Sequence, residues 1–73
     1  MITCAARILS GEDIGHLIFD SKGVGWRIVE VHHYPSGVTI DVHHRDVENW
    51  ATSEPSDEVE YKFDDMVTVW AQT

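Results

Sequence analysis

The sequence predicts a small all-β domain: a partly open or closed barrel of five to six antiparallel strands with one long acidic loop. Three observations carry that expectation. Residues 26–45 alternate apolar and polar side chains on two arms separated by Pro35 and Gly37, the pattern of a half-buried hairpin. Short apolar runs recur on either side of it, each ended by a cluster of Gly, Pro, Asp or Ser. A sheet this small cannot leave its edges unprotected, and curling toward closure removes them.

Residues 2–9 (I-T-C-A-A-R-I-L) read as a first strand of small residues ending at Ser10-Gly11-Glu12-Asp13. A helix competes there, because Ala, Arg and Leu favour one; the short length and the Ser-Gly stop favour the strand. Residues 14–19 form the second strand, with Ile14 and Ile18, or Leu17 and Phe19, facing inward. Asp20-Ser21-Lys22-Gly23 is a turn cluster, and the glycines of Gly23-Val24-Gly25 mark a bulge or a close backbone approach.

In the hairpin, Val29 and Val31 share one face, as do Val38, Ile40 and Val42. Facing these sets requires Val31 opposite Ile40 and Val29 opposite Val42. His33 then opposes Val38, and Tyr34-Pro35-Ser36-Gly37 is the turn. Residues 46–58 are loop chemistry, with one helical turn as the most structure that residues 46–51 would hold. Val59, Tyr61 and Phe63 alternate with Glu60, Lys62 and Asp64 as a strand, Asp64-Asp65-Met66 is a tight turn, and residues 67–70 close the sheet.

Seventy-three residues make one domain, 1–73, that buries roughly 60 % of its unfolded-chain surface. The single cysteine, Cys4, excludes an internal disulfide and a Cys-rich zinc site. No basic segment leads into a long apolar run, so a cytoplasmic protein is expected, of a host cell if the protein is phage-encoded. The net charge is −8, and residues 46–65 alone hold eight acids against one base, a balance of −7. Such a surface repels phosphate backbones and anionic membranes and attracts a basic protein.

The Asp13-Ile14-Gly15 opening, the Gly23-Val24-Gly25-Trp26-Arg27-Ile28-Val29 run and the Asp64-Asp65-Met66-Val67 closing turn resemble small SH3-like barrel accessory proteins of actinobacterial phages. The resemblance spans most of the chain and includes no catalytic signature. It implies an adaptor or host-directed binding role.

The predicted register places Glu30 opposite Asp41, Ile28 opposite His43 and His32 opposite Thr39 on the outer face. Facing carboxylates repel unless a cation intervenes. Glu30, Asp41, His32 and His43 are therefore candidate metal ligands, against the simpler reading of a solvated face screened by its own cations. His33 and His44, the latter opposite Arg27, sit near strand ends as hydrogen-bonded rim caps. Charging all five histidines would move the net charge from −8 to about −3 across the imidazole range.

Cys4 reads as a small buried hydrophobe, and Gly23-x-Gly25 lacks the third glycine and helix of a dinucleotide loop. No Ser-centred elbow, Walker loop or zinc-protease helix is present, so neither an enzyme nor a cofactor is expected. Trp50 has two readings: it folds back to plug one end of the barrel, or it stands exposed as a binding anchor ringed by acids. Trp26 and Trp70 are expected in the core and Tyr34 exposed at the hairpin tip.

The expected function is a non-enzymatic, acidic protein-protein interaction module that meets a basic surface through Trp50, Asp46, Glu48, Glu54, Asp57, Glu58 and Tyr34. Two alternatives are a nucleic-acid mimic that occupies a DNA-binding protein, and a metal-binding barrel. Self-association through an edge or apolar patch is a further expectation.

Overall fold

A computed structural model describes residues 2–70. Its strands are β1 (Ile2–Ala5), β2 (Leu17–Phe19), β3 (Gly25–Tyr34), β4 (Gly37–His44), β5 (Asp57–Tyr61) and β6 (Met66–Trp70). All pairings are antiparallel, in one six-stranded sheet of order β1-β6-β2-β3-β4-β5. The expected all-β class with six strands holds, but among the described residues strand pairing does not close a barrel, and β1 and β5 are its edges. One bond, from the Arg7 N–H to the Phe63 carbonyl at 3.2 Å, reaches across the gap. β5 stops at Tyr61, and Phe63 lies in the following turn, so there is no ladder to continue.

The sheet curls over a core of Ile18, Ile28, Val38, Ile40, Val42, Val67 and Val69, with Val59 and Tyr61 of β5 packed against it. Burial beside the Asp20 and Asp65 carboxylates pushes the Tyr61 phenol above its ordinary range. The N-terminal segment is half strand. After Ala5 it tightens into a 3₁₀ turn, Ala6–Ile8, which drives Ala6 and Leu9 into the core while Ile8 points outward. The expected strand over residues 2–9 is corrected accordingly.

The expected second strand, residues 14–19, also starts late, at Leu17. Ser10 caps a second 3₁₀ turn, Gly11–Asp13, through a reciprocal box in which the Ser10 N–H donates to Asp13 Oδ2 at 2.9 Å. Gly15 then takes a left-handed φ of 92°. Ile18 faces the core, as the first expected inward set has it, but its partner Ile14 is exposed; Leu17 is buried on the opposite face, so the Leu17 and Phe19 set is not the core-facing one. The turn into β3 is clamped by Asp20, whose Oδ1 accepts the Lys22 and Val24 N–H groups at 2.9 Å. The Val24 bond comes first among the contacts that hold this carboxyl below its ordinary range.

The hairpin keeps the predicted register over its far half: Val31 faces Ile40, His32 faces Thr39, His33 faces Val38 and Glu30 faces Asp41. Between Ile28 and Glu30 the register shifts at a bulge, which leaves Val29 unpaired. Ile28, not Val29, therefore opposes Val42, Arg27 opposes His43, and Trp26 opposes His44. Adjacent apolar residues at 28 and 29 allow either to take the core seat, and the bulge gives it to Ile28. Trp26 packs on the core as expected. Trp70 does not: it is 48 % exposed on the outer face opposite Leu17.

Candidate functional site

The loop between β4 and β5 is built on a buried histidine. The bulge sets His43 beside Arg27 on the outer face, and the loop folds over the ring until only 7 % of His43 is exposed. His43 Nδ1 lies 2.6 Å from Ser56 Oγ and Nε2 lies 2.9 Å from Ser53 Oγ. The Ser53 hydroxyl donates its proton to the Asn49 carbonyl at 2.9 Å, which leaves its oxygen to accept from His43. This network assigns the neutral ring its proton at Nε2, with Nδ1 accepting the Ser56 hydroxyl proton. The Ser56 N–H also donates to the Val42 carbonyl at 2.9 Å, so both arms of the loop are tied down.

Trp50 is the second anchor. Gly15 lets the edge of the indole come close to the backbone: a Cβ there would stand 3.3 Å from Trp50 Cη2. The Arg27 guanidinium carbon sits 5.8 Å from the ring centroid. Arg27 donates to the Gly15 carbonyl at 2.8 Å and the Arg45 carbonyl at 3.4 Å, while its buried Nε has no partner among the described residues. Trp50 is half-buried against Gly15 and Arg27, folded back onto the sheet but not into the end of a closed barrel.

What this scaffold presents is negative charge. Asp46, Glu48, Glu54, Asp57 and Glu58 are all exposed. On the strands, Glu30, Asp41 and Glu58 stand in register across β3, β4 and β5, and His32, Thr39 and Glu60 form the next row. Neighbouring strands lie about 4.8 Å apart, so these three acidic residues occupy adjacent positions of one row. Beside this row His32 Nε2 lies 3.1 Å from Asp41 Oδ2. Tyr34, 51 % exposed at the hairpin tip, borders an open cleft with Ser36, Thr39, Glu58 and Glu60.

The metal candidates are only partly assembled. Glu30 faces Asp41 and His32 reaches it, but both nitrogens of His43 are engaged by serines and its cross-strand neighbour is cationic Arg27. Among the described residues, no three His, Cys, Asp or Glu side chains gather as a metal ion requires. His33 ties the hairpin to the N-terminal segment, its Nε2–H donating to the Leu9 carbonyl at 2.6 Å. His44 lies opposite Trp26 and not Arg27, with ring centroids 4.7 Å apart.

Reading the sequence misses Arg27, Ser53, Ser56 and Gly15, and it assigns His43 to a wet face. The signal available was the adjacent apolar pair Ile28-Val29 downstream of two glycines, which admits a bulge. No described helix is long and apolar enough to cross a membrane. The class defined so far is a single-sheet all-β domain whose outer face and longest loop are acidic. Compared with known proteins, the chain matches no family model, no curated protein and no solved structure.

Proposed function

We propose that the domain is a non-enzymatic interaction module that docks a basic protein surface against its acidic outer face. The observation that carries this reading is the carboxylate row Glu30–Asp41–Glu58, continued by Glu60 and by the loop acids Asp46, Glu48 and Glu54. Placing like charges in register costs stability, so a face that keeps them is better explained by an incoming cationic partner than by folding. The latch of His43, Ser53 and Ser56 favours binding, because pre-ordered acids lose little freedom on contact. Trp50 contributes from beneath the loop, and Tyr34 supplies an exposed aromatic at the rim.

The reading fits an SH3-like accessory protein of a phage that engages a host protein in the host cytoplasm. Its test starts from capture of the partner in host lysate. The variant Glu48→Gln, Glu54→Gln, Asp57→Asn, Glu58→Gln should then associate more slowly, with a flatter salt dependence, at little change in dissociation rate. Equal on-rates would refute it. Displacement of the partner by duplex DNA would identify the acids as stand-ins for phosphates, the nucleic-acid mimic.

A further inference from the structure

We propose that β1 is the seat of a twofold homodimer, in which two copies pair their β1 strands antiparallel and join two sheets into one. The sheet's two edges are chemically opposite. β5 carries Asp57, Glu58 and Glu60, with Pro55 just before it, and a charged edge of this kind resists strand addition. β1 reads Ile-Thr-Cys-Ala and has no charge, proline or bulge to protect it.

Charge selects the occupant. All thirteen acidic residues lie between Glu12 and Asp65, so β1 and its neighbour β6 contain none. A second copy, itself at −8, is repelled by most of the surface and not by this edge. Nor would β1 suit the acidic β5 of another copy, because Arg7, the nearby cation among the described residues, is already paired with Asp64. That head-to-tail contact would also run on into a ring or an open fibre, whereas β1 against β1 closes on itself.

The apolar surface concentrates here too. Ile2 and Ile8 are 66 % and 62 % exposed, and with Cys4, Leu9 and Val69 they border a hollow of about 190 Å³. Asp13 and His16, 3.5 Å apart, form its polar rim.

The ladder sets the register. The Ala6 N–H donates to the Asp65 carbonyl at 2.8 Å, in line with the β1–β6 pairing. By the alternation of an antiparallel ladder, Ile2 and Cys4 aim their backbone groups at β6, and Thr3 and Ala5 aim theirs at the free side. Pairing Thr3 with Ala5 of the partner subunit, and the reverse, uses every outward group and puts the twofold axis at Cys4. Facing residues at such a non-hydrogen-bonded position are the closest in a sheet, so Cys4 meets Cys4 of the partner subunit.

Sedimentation equilibrium across a concentration series should give a mass twice the 8.3 kDa of the chain. Thr3→Pro removes an outward donor on each subunit, and Ile8→Lys sets a charge at the hollow. Each should weaken dimerisation about tenfold or more while circular dichroism stays native. A short bis-maleimide should link Cys4 to Cys4 of the partner subunit in the wild type and fail to do so in Ile8→Lys. If Thr3→Pro unfolds, Ile8→Lys decides, because that side chain already lies in water. A wild type that stays monomeric throughout overturns the proposal. So does a dimer that persists in a folded Ile8→Lys, or one that the cross-linker does not capture.

Discussion

Replacing His43 by Ala tests whether the long loop is held or merely adjacent. The substitution deletes two hydrogen bonds, to Ser56 Oγ and Ser53 Oγ, and empties a ring that is only 7 % exposed. Each bond contributes about 1 kcal/mol net, and the lost packing adds about 1 kcal/mol more. Ser56 is exposed and Ser53 half-buried, so water satisfies their hydroxyls and the larger penalty for buried unpaired groups does not apply. The sum is about 2–3 kcal/mol, against a total stability of roughly 4–11 kcal/mol for a domain of this length. Urea unfolding should show a lower midpoint at an unchanged slope, and the melting temperature should fall by about 8–24 °C. Trp50 should become more solvent-exposed before global unfolding, read as acrylamide quenching with Trp26 and Trp70 each replaced by Phe. His44→Ala, on an exposed ring stacked on Trp26, should cost under about 1 kcal/mol. A loss below about 0.5 kcal/mol in His43→Ala, with unchanged quenching, would show that the latch does not hold the loop.

Further outcomes follow from the same geometry. Glu58→Gln relieves the carboxylate row and should stabilise the fold by about 0.2–0.5 kcal/mol at low ionic strength, an effect that thermal melts should show fading as salt is added. Gly37→Ala places a Cβ 2.3 Å from the Tyr61 carbonyl oxygen, a clash with backbone that should cost about 2–3 kcal/mol in urea unfolding. Tyr61 binds its proton more tightly folded than unfolded, so stability is full below the ordinary phenol value of 10.0 and declines as pH rises past it; Tyr61→Phe should flatten that alkaline decline. Asp20 shows the reverse sign: its contribution is present above the ordinary value of 3.8 and lost as pH falls below it, and Asp20→Asn should flatten the acid limb of the same stability profile.

The far half of the hairpin was legible because two constraints agreed there. Alternation placed Val31 against Ile40, and Tyr34-Pro35-Ser36-Gly37 admitted one turn. Below Glu30 the constraints parted: Ile28 and Val29 are equally apolar, and only three-dimensional packing chooses between them. That single choice brought Arg27 beside His43, whose burial comes from the loop that folds over the outer face through Ser53 and Ser56. The N-terminal segment resisted reading for another reason. Ala5 and Ala6 suit strand and helix alike, and the chain uses both, four residues extended and then one tight turn. The acids of the candidate face were visible from composition. Their alignment across three strands was not, because the partner of β4 on its far side is set by the return of a twelve-residue connection, 45–56.

The unpaired residue at Val29 divides β3 into two lengths that answer to different demands. Residues 25–28 are phased by the core and the loop that packs outside it, while in residues 30–34 only Val31, on the core, and His33, bonded to the Leu9 carbonyl, reach beyond the hairpin. An exchange of the outward side chains beyond the slip therefore need not disturb what lies before it. The tip, with Glu30, His32 and Tyr34, is a replaceable cassette on a fixed mount, free to diversify toward new contacts while the rest of the sheet stays as it is.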